Sequence, residues 1–406
     1  MWTLTALVRE SLHSVCNFIY AEDIRRYTRE QPSSIRPLPQ TMNDISFLPM
    51  ILQFLLVFAT AAAYDWAVII AGSSGYWNYR HQAAAASAYH YFQSRGIPKD
   101  RIIVFMSRSV VDDEQNPFVG KLFSSPGNDV EDQMNGIQID YETSEMTASN
   151  VLNVLSGNSF STKRVLRSSA FDNVYVSFFC YGAPGVITLP NDAIFAPDLL
   201  KTLQYMQQKR MYKELVLMID GEGTEYLLSD SDRADLHIRM ISPFTEKIPT
   251  RNLFCPPEDI VHHRTVGSCL NTEFSYRLYE GRGFQHSFAT DIFDNDSSVP
   301  SAMMENGWNG YNTRFEYFRQ LLRRDPRNVA LRGIVQEEDN VRDQLDEYIR
   351  IISSIHKMGT TLTQISEWSC YKRGVEKMER LFFWNEYSFS FFSAIANMCE
   401  QNKQSF

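Results

Sequence analysis

Four short apolar runs, each followed by a glycine-bearing turn or separated from the next by a helix-like stretch, constrain this chain more than any other feature. They are WAVIIA (66–71), RIIVFM (101–106), NVYVSFFC (173–180) and LVLMID (215–220). Runs of this length without polar alternation suit strands covered on both faces. An Ala-rich helical pattern over 79–94, closed by Gly96 and Pro98, follows the first run, and another over 196–209 lies between the third and fourth. Strands alternating with helices at this spacing predict an α/β unit with a mostly parallel central sheet. After about residue 295 the pattern changes. Residues 314–357 and 370–399 read as helices without a convincing strand, as in VRDQLDEYIRIISSI with its apolar positions on one face. A separate all-α module is expected there, with its boundary near 290–325.

Charge narrows the function classes. The chain of 406 residues carries 39 Lys plus Arg against 48 Asp plus Glu, a net charge of -9, so no basic field exists to attract nucleic acid. With 44% hydrophobic residues and no long polar tract, the chain has a core to bury and is not disordered as a whole. Residues 1–63 read as a leader. Its segment 47–63 joins an apolar block, FLPMILQFLLVF, to Ala-Thr-Ala-Ala-Ala, the pattern of a secretory signal with cleavage after Ala63. It sits behind a long preface, so Met42 and Met50 stand beside Met1 as alternative starts. A membrane anchor is the competing reading, but the apolar run falls short of the roughly 20 residues a span needs.

Cysteine usage points to an oxidising compartment. With Cys16 in the leader, spacing suggests Cys255 with Cys269 and Cys370 with Cys399, leaving Cys180 odd. Asn295-Asp296-Ser297 is a glycosylation sequon for a chain that enters the secretory route.

In parallel sheets, ligands and catalytic groups collect at the carboxyl ends of strands, so three ends matter. The first, GSSGYWNYRH, lacks the spacing of a phosphate-binding loop and instead groups Asn78, Arg80 and His81. Arg80 could grip an acidic or amide group bidentately; the plainer alternative is a local ion pair for Arg80 and a satisfied buried His81. At the second end, Cys180-Tyr181-Gly182, glycine permits the close backbone approach of an oxyanion-binding loop, while a phenol is a poor base near neutrality. The third end carries Asp220, Glu222 and Glu225 without a His or Cys ligand set, so these carboxylates are expected to be solvated loop acids rather than metal ligands. No metal and no cofactor is expected.

Longer segments carry a resemblance. WAVIIAGSSGYWNYRHQAAAASAYHYFQSRGIPKDRIIVFM, GNDV (127–130), DYETSEMTASNVLNVLSG (140–157) and MQQKRMYKELVLMID (206–220) resemble the legumain family, the asparaginyl endopeptidases of the caspase-like clan. The bracketed loop Cys255 to Cys269 and the tail segments WSCYKRGVEKMERLFFW and ANMCE continue it, the tail resembling the helical prodomain that caps legumain zymogens. The resemblance implies a caspase-like three-layer sandwich over 64–290, a linker over 291–325 and a prodomain-like cap over 326–406. It also implies the disulfides Cys255–Cys269 and Cys370–Cys399, the prodomain's second pair being lost as a whole.

Carried over residue by residue, the family's site meets a contradiction. The family's base lies in Asp-His-Gly or Gly-His-Gly, which reads Cys180-Tyr181-Gly182 here. Its nucleophile lies in Glu-Ala-Cys or Asp-Thr-Cys, which reads Asp220-Gly221-Glu222. The resemblance assigns Asn78 to orienting the base and Arg80, His81 and Asp220 to the substrate pocket, whose further acid falls on Thr272. A cysteine peptidase needs a thiolate and an imidazole. The expectation is therefore a secreted, lysosomal or vacuolar pseudopeptidase that binds peptide or protein ligands, such as an active paralogue or its inhibitors. The alternatives are an active asparaginyl-type endopeptidase with rearranged groups, in which Cys180 substitutes as nucleophile, and a subunit of a larger assembly.

Overall fold

The computed structural model describes residues 65–159, 163–242, 250–280, 307–356, 362, 364–382 and 385–402. The leader 1–63 with its segment 47–63, and the sequon at Asn295, lie outside the described residues.

Along the chain, β1 (Trp66–Ala71), α1 (Tyr79–Ser94), β2 (Ile102–Phe105), α2 (Ala148–Leu155) and β3 (Asn173–Phe179) lead into a small hairpin sheet of β4 (Gly182–Ala183), β5 (Val186–Leu189) and β6 (Asp192–Phe195). Then come α3 (Ala196–Gln208), β7 (Glu214–Asp220), α4 (Asp230–Asp235) and β8 (Ile238–Ile241). The five-stranded sheet runs β2-β1-β3-β7-β8, with every neighbouring pair parallel. Alternation assigns the layers. Ala67, Ile69 and Ala71 face α1, whereas Val68, Ile70, Val174, Val176 and Phe178 pack against residues of α2 and α3. Both faces of the sheet are thus buried, which is why its strands read as unbroken apolar runs. This is the caspase-like α/β sandwich, followed by a helical C-terminal module.

Of four further short strands, β10 (Ile260–Val261) and β11 (Arg264–Thr265) pair inside the loop closed by Cys255–Cys269, and β9 (Asn252–Leu253) and β12 (Asn271–Thr272) pair antiparallel at its base. Within the span 291–325 expected as a linker, residues 310–324 form a 3-10 turn and then α5 (Thr313–Arg324). The Tyr317 ring of α5 is buried edge-on against Tyr76, so this helix packs on the α/β unit.

The remaining helices are α6 (Val329–His356), α7 (Trp368–Phe382), α8 (Glu386–Phe389) and α9 (Phe392–Asn402). Their apolar side chains, Leu345, Tyr371, Phe389 and Phe392 among them, form one cluster with Tyr181, Ala183, Val186 and Phe195 of the hairpin region. The Tyr371 hydroxyl donates to the Pro184 carbonyl at 2.9 Å. Among the described residues no helix is long and apolar enough to cross a membrane.

Both expected disulfides are present. Cys370–Cys399 ties α7 to α9 across a sequence separation of 29. Removing it with Cys370→Ser/Cys399→Ser is expected to cost about 3.5 kcal/mol by loop-closure entropy. Differential scanning calorimetry of the two forms checks this, and unchanged melting of the helical module would refute it.

Candidate functional site

Phe179 of β3 pairs with Asp220 of β7, so the two strands end side by side and deliver Tyr181, Gly182 and Glu222 to one corner. Glycine at 182 is a spatial requirement: a Cβ there would lie 2.1 Å from the Glu222 carbonyl oxygen. The amide N–H of Gly182 donates to Glu222 Oε2 at 3.3 Å. Glu222 Oε1 accepts from the Thr250 amide at 3.0 Å and from the Thr250 hydroxyl at 2.7 Å. The carboxyl group is thereby buried yet supplied with donors. Burial nevertheless holds its pKa above the usual carboxylate range, and the bonds from Thr250 and Gly182 pull it part of the way back.

Tyr181 is equally enclosed. Its hydroxyl donates to Asn78 Oδ1 at 2.7 Å, which also accepts from Arg80 Nη1 at 3.0 Å. The ring meets the His81 ring edge-on at 5.3 Å, lies under the Arg80 guanidinium at 5.2 Å and touches Phe389 of α8. Burial raises the phenol far above its ordinary value. It stays protonated throughout the neutral range and cannot act as a general base.

The pocket residues converge as well. Arg80 and Asp220 are fully buried, on α1 and at the end of β7. Nε and Nη2 of Arg80 find no hydrogen-bond partner among the described residues, and the Asp220 carboxylate has only the approach of the Thr272 hydroxyl, too poorly placed to complete a full hydrogen bond. Burial lifts Asp220 to about 7, opposed by the Thr272 hydroxyl and by the Arg80 charge. Thr272 is buried, and its hydroxyl accepts from the Ser275 amide at 3.0 Å. His81 Nδ1 lies 2.7 Å from the Ser73 hydroxyl, and burial followed by the neighbouring Arg80 charge keeps the imidazole neutral.

Two of the plainer expectations are corrected. Asp220 and Glu222 are not solvated loop acids but buried side chains, because the closing hairpin and the segment at Thr250 exclude water around them. Arg80 makes no ion pair among the described residues; its Nη1 donates to the amide oxygen of Asn78 and to the Trp77 carbonyl. The buried, satisfied histidine is observed at His81.

Cys180, a free cysteine, faces the layer of α2 and α3, whereas Arg80 belongs to α1 on the other face of the sheet. Burial, reinforced by the charges of Asp220 and Glu222, pushes its thiol well above the ordinary value. It is a packed thiol rather than a thiolate.

Beside Gly310, four residues at this corner carried no local signal in the sequence: Thr250, Tyr311, Glu386 and Phe389. Tyr311 donates to the Gly182 carbonyl at 3.3 Å, and Trp77 Nε1 donates to Glu386 Oε1 at 3.0 Å. Only the Asn-Gly pair at 309–310, a turn signature, hinted at this approach.

The model of the Peptidase C13 family matches residues 65–281, which hold all five sheet strands and the strand-end residues Asn78, Arg80, Tyr181, Asp220 and Glu222, while Gly310, Tyr311, Glu386 and Phe389 lie beyond the match. This chain belongs to the peptidase C13 family. Hemoglobinase of Schistosoma japonicum is 32% identical to it over 213 residues, covering 52% of this chain and 48% of the relative. Legumain of Mus musculus is 39% identical over 162 residues, 38% of this chain and 37% of the relative. The vacuolar-processing enzyme delta-isozyme of Arabidopsis thaliana is 30% identical over 220 residues, 53% and 47%. The chain thus spans about half the length of the curated relatives it matches. At the corner, a phenol and a carboxyl group, each hydrogen-bonded to partners inside the molecule, stand where the resemblance places imidazole and thiol.

Proposed function

We propose that this C13 homologue is catalytically silent and acts by binding peptide or protein ligands, such as an active paralogue or that paralogue's inhibitors. The observation that carries the reading is the pairing at the corner. Tyr181 spends its proton on Asn78 and Glu222 spends both oxygens on Thr250 and Gly182, so neither is free to attack or to relay a proton. The free thiol Cys180 and the imidazole His81 belong to opposite faces of the sheet, so the two do not form a couple for an acyl-enzyme at this corner among the described residues. In this reading the C-terminal helices, packed on Tyr181 and Ala183, serve as a cap. The two disulfides support a secretory route, and a relative named for vacuolar processing supports a lysosomal or vacuolar destination. The second reading, a working asparaginyl-type endopeptidase, rests on the names of the relatives.

The purified chain, assayed at both acidic and neutral pH, is expected to cleave an Asn-reporter peptide at least about 10⁴-fold more slowly than an active legumain, since losing one dyad member already removes rate on that scale. A thiol-directed probe is expected to leave Cys180 unlabelled in the folded chain. Cleavage or labelling that disappears in Cys180→Ser would establish the endopeptidase instead.

A further inference from the structure

The segment 309–312 crosses the corner and continues into α5. Its geometry is set by Glu222. Thr250, held by that carboxylate through both its amide and its hydroxyl, passes the contact on: its carbonyl accepts from the Gly310 amide at 3.1 Å. Gly310 sits so close that a Cβ would lie 2.1 Å from Thr250 Oγ1 and 3.1 Å from Glu222 Oε1. On either side, Arg251 and Asn309 form an antiparallel bridge, and the Asn252 amide donates to the Trp308 carbonyl at 3.1 Å. The strap then reaches the helical module. Arg342 of α6 donates to Asn312 Oδ1 at 2.9 Å and, at 3.5 Å, to the Tyr311 carbonyl.

We infer that Glu222 is a latch: its buried carboxylate fastens the strap 309–312, and through the strap helix α6, across the end of β7. Three features favour a latch over a carboxylate that merely fills space. It receives donors from two separate segments, at Gly182 and Thr250. The strap packs on those same atoms without a side chain of its own. Three donors, two amides and a hydroxyl, converge on the two oxygens of Glu222, and removing those oxygens in a buried setting leaves all three unpaired. A cysteine at this position would supply a single weak acceptor and could not hold both segments. The inference goes beyond catalytic silence, because a chain can lack turnover with its strap either fastened or loose.

Hydrogen exchange on the full-length chain tests it. In Glu222→Ala, the amides of 250–252 and 307–312 and those of α6 near Arg342 are expected to exchange about tenfold faster or more, while β3 and β7 keep wild-type protection. Glu222→Gln, which retains one acceptor, is expected to fall between. Gly310→Ala attacks the strap from the other side and is expected to loosen the same amides, and the double variant Glu222→Ala/Gly310→Ala no more than either single one. Unchanged strap protection in a folded Glu222→Ala, or equal loosening of strap and sheet, would overturn the latch. If Glu222→Ala does not fold, Glu222→Gln and Gly310→Ala still decide, since loosening limited to the strap supports the latch and uniform or absent loosening refutes it. Failure here leaves the peptide-cleavage result untouched, and cleavage of the reporter leaves the latch untouched.

Discussion

Gly182→Ala is expected to destabilise the chain by at least about 4 kcal/mol, a large share of the roughly 5–15 kcal/mol a folded domain possesses. The cause is contact with backbone rather than an unfavourable torsion. The new Cβ would lie 2.1 Å from the carbonyl oxygen, 2.7 Å from the nitrogen and 3.0 Å from the carbonyl carbon of Glu222. No side-chain rotation relieves such contacts, so β4 must withdraw from the loop after β7. Withdrawal would break the Gly182–Glu222 hydrogen bond, lengthen the one from Tyr311 and disturb the pairing of Gly182 with Ile187. Gly333→Ala is the matching control, because that glycine lies in α6 and a Cβ there meets nothing within 4 Å. In an exposed helix interior the same substitution is expected to stabilise by about 0.5–1 kcal/mol. Urea unfolding of both variants gives the comparison. A Gly182→Ala loss below about 1 kcal/mol, within reach of ordinary relaxation, would show that the corner is far looser than its contacts imply.

How much of this corner could be read from residues alone depends on where its parts come from. The sheet strands announce themselves because burial on both faces removes any polar alternation, and Ala83 to Ala86 mark α1 equally plainly. Asn78, Tyr181 and Glu222 lie at strand ends, where a parallel sheet collects its chemistry, so they were legible as candidates. The hairpin β4 to β6 was not, since strands of two to four residues broken by Pro190 and Asn191 carry little periodicity. The burial of Asp220 and Glu222 was likewise hidden. Charged side chains are usually solvated, and the donor that reverses this for Glu222 is Thr250, 28 residues away. Trp77 and Glu386 meet across a separation of 309 residues. Such contacts are products of the fold and have no local trace.

Asp220 should make the chain more stable in acid than near neutrality, the reverse of the usual behaviour of carboxylates. Its pKa is lifted to about 7, chiefly because burial penalises the charged form, whereas an unfolded Asp titrates near about 3.9. Between those values the folded state binds more protons than the unfolded one, so stability rises as pH falls and is lost as pH climbs through about 7. From about pH 8 to about pH 5 the gain expected from this one group is about 2–3 kcal/mol. Glu222, also raised by burial, contributes in the same direction. Asp220→Asn separates the two: the amide cannot ionise, so the variant should be more stable than the parent near pH 8 and lose most of the slope. Guanidinium unfolding at both pH values measures it, and parallel slopes for parent and variant would show that Asp220 is already ionised in the fold, paired with Arg80 after all. A chain built this way suits an acidic compartment for a physical reason separate from catalysis, because protonation relieves the buried charge that neutral pH imposes.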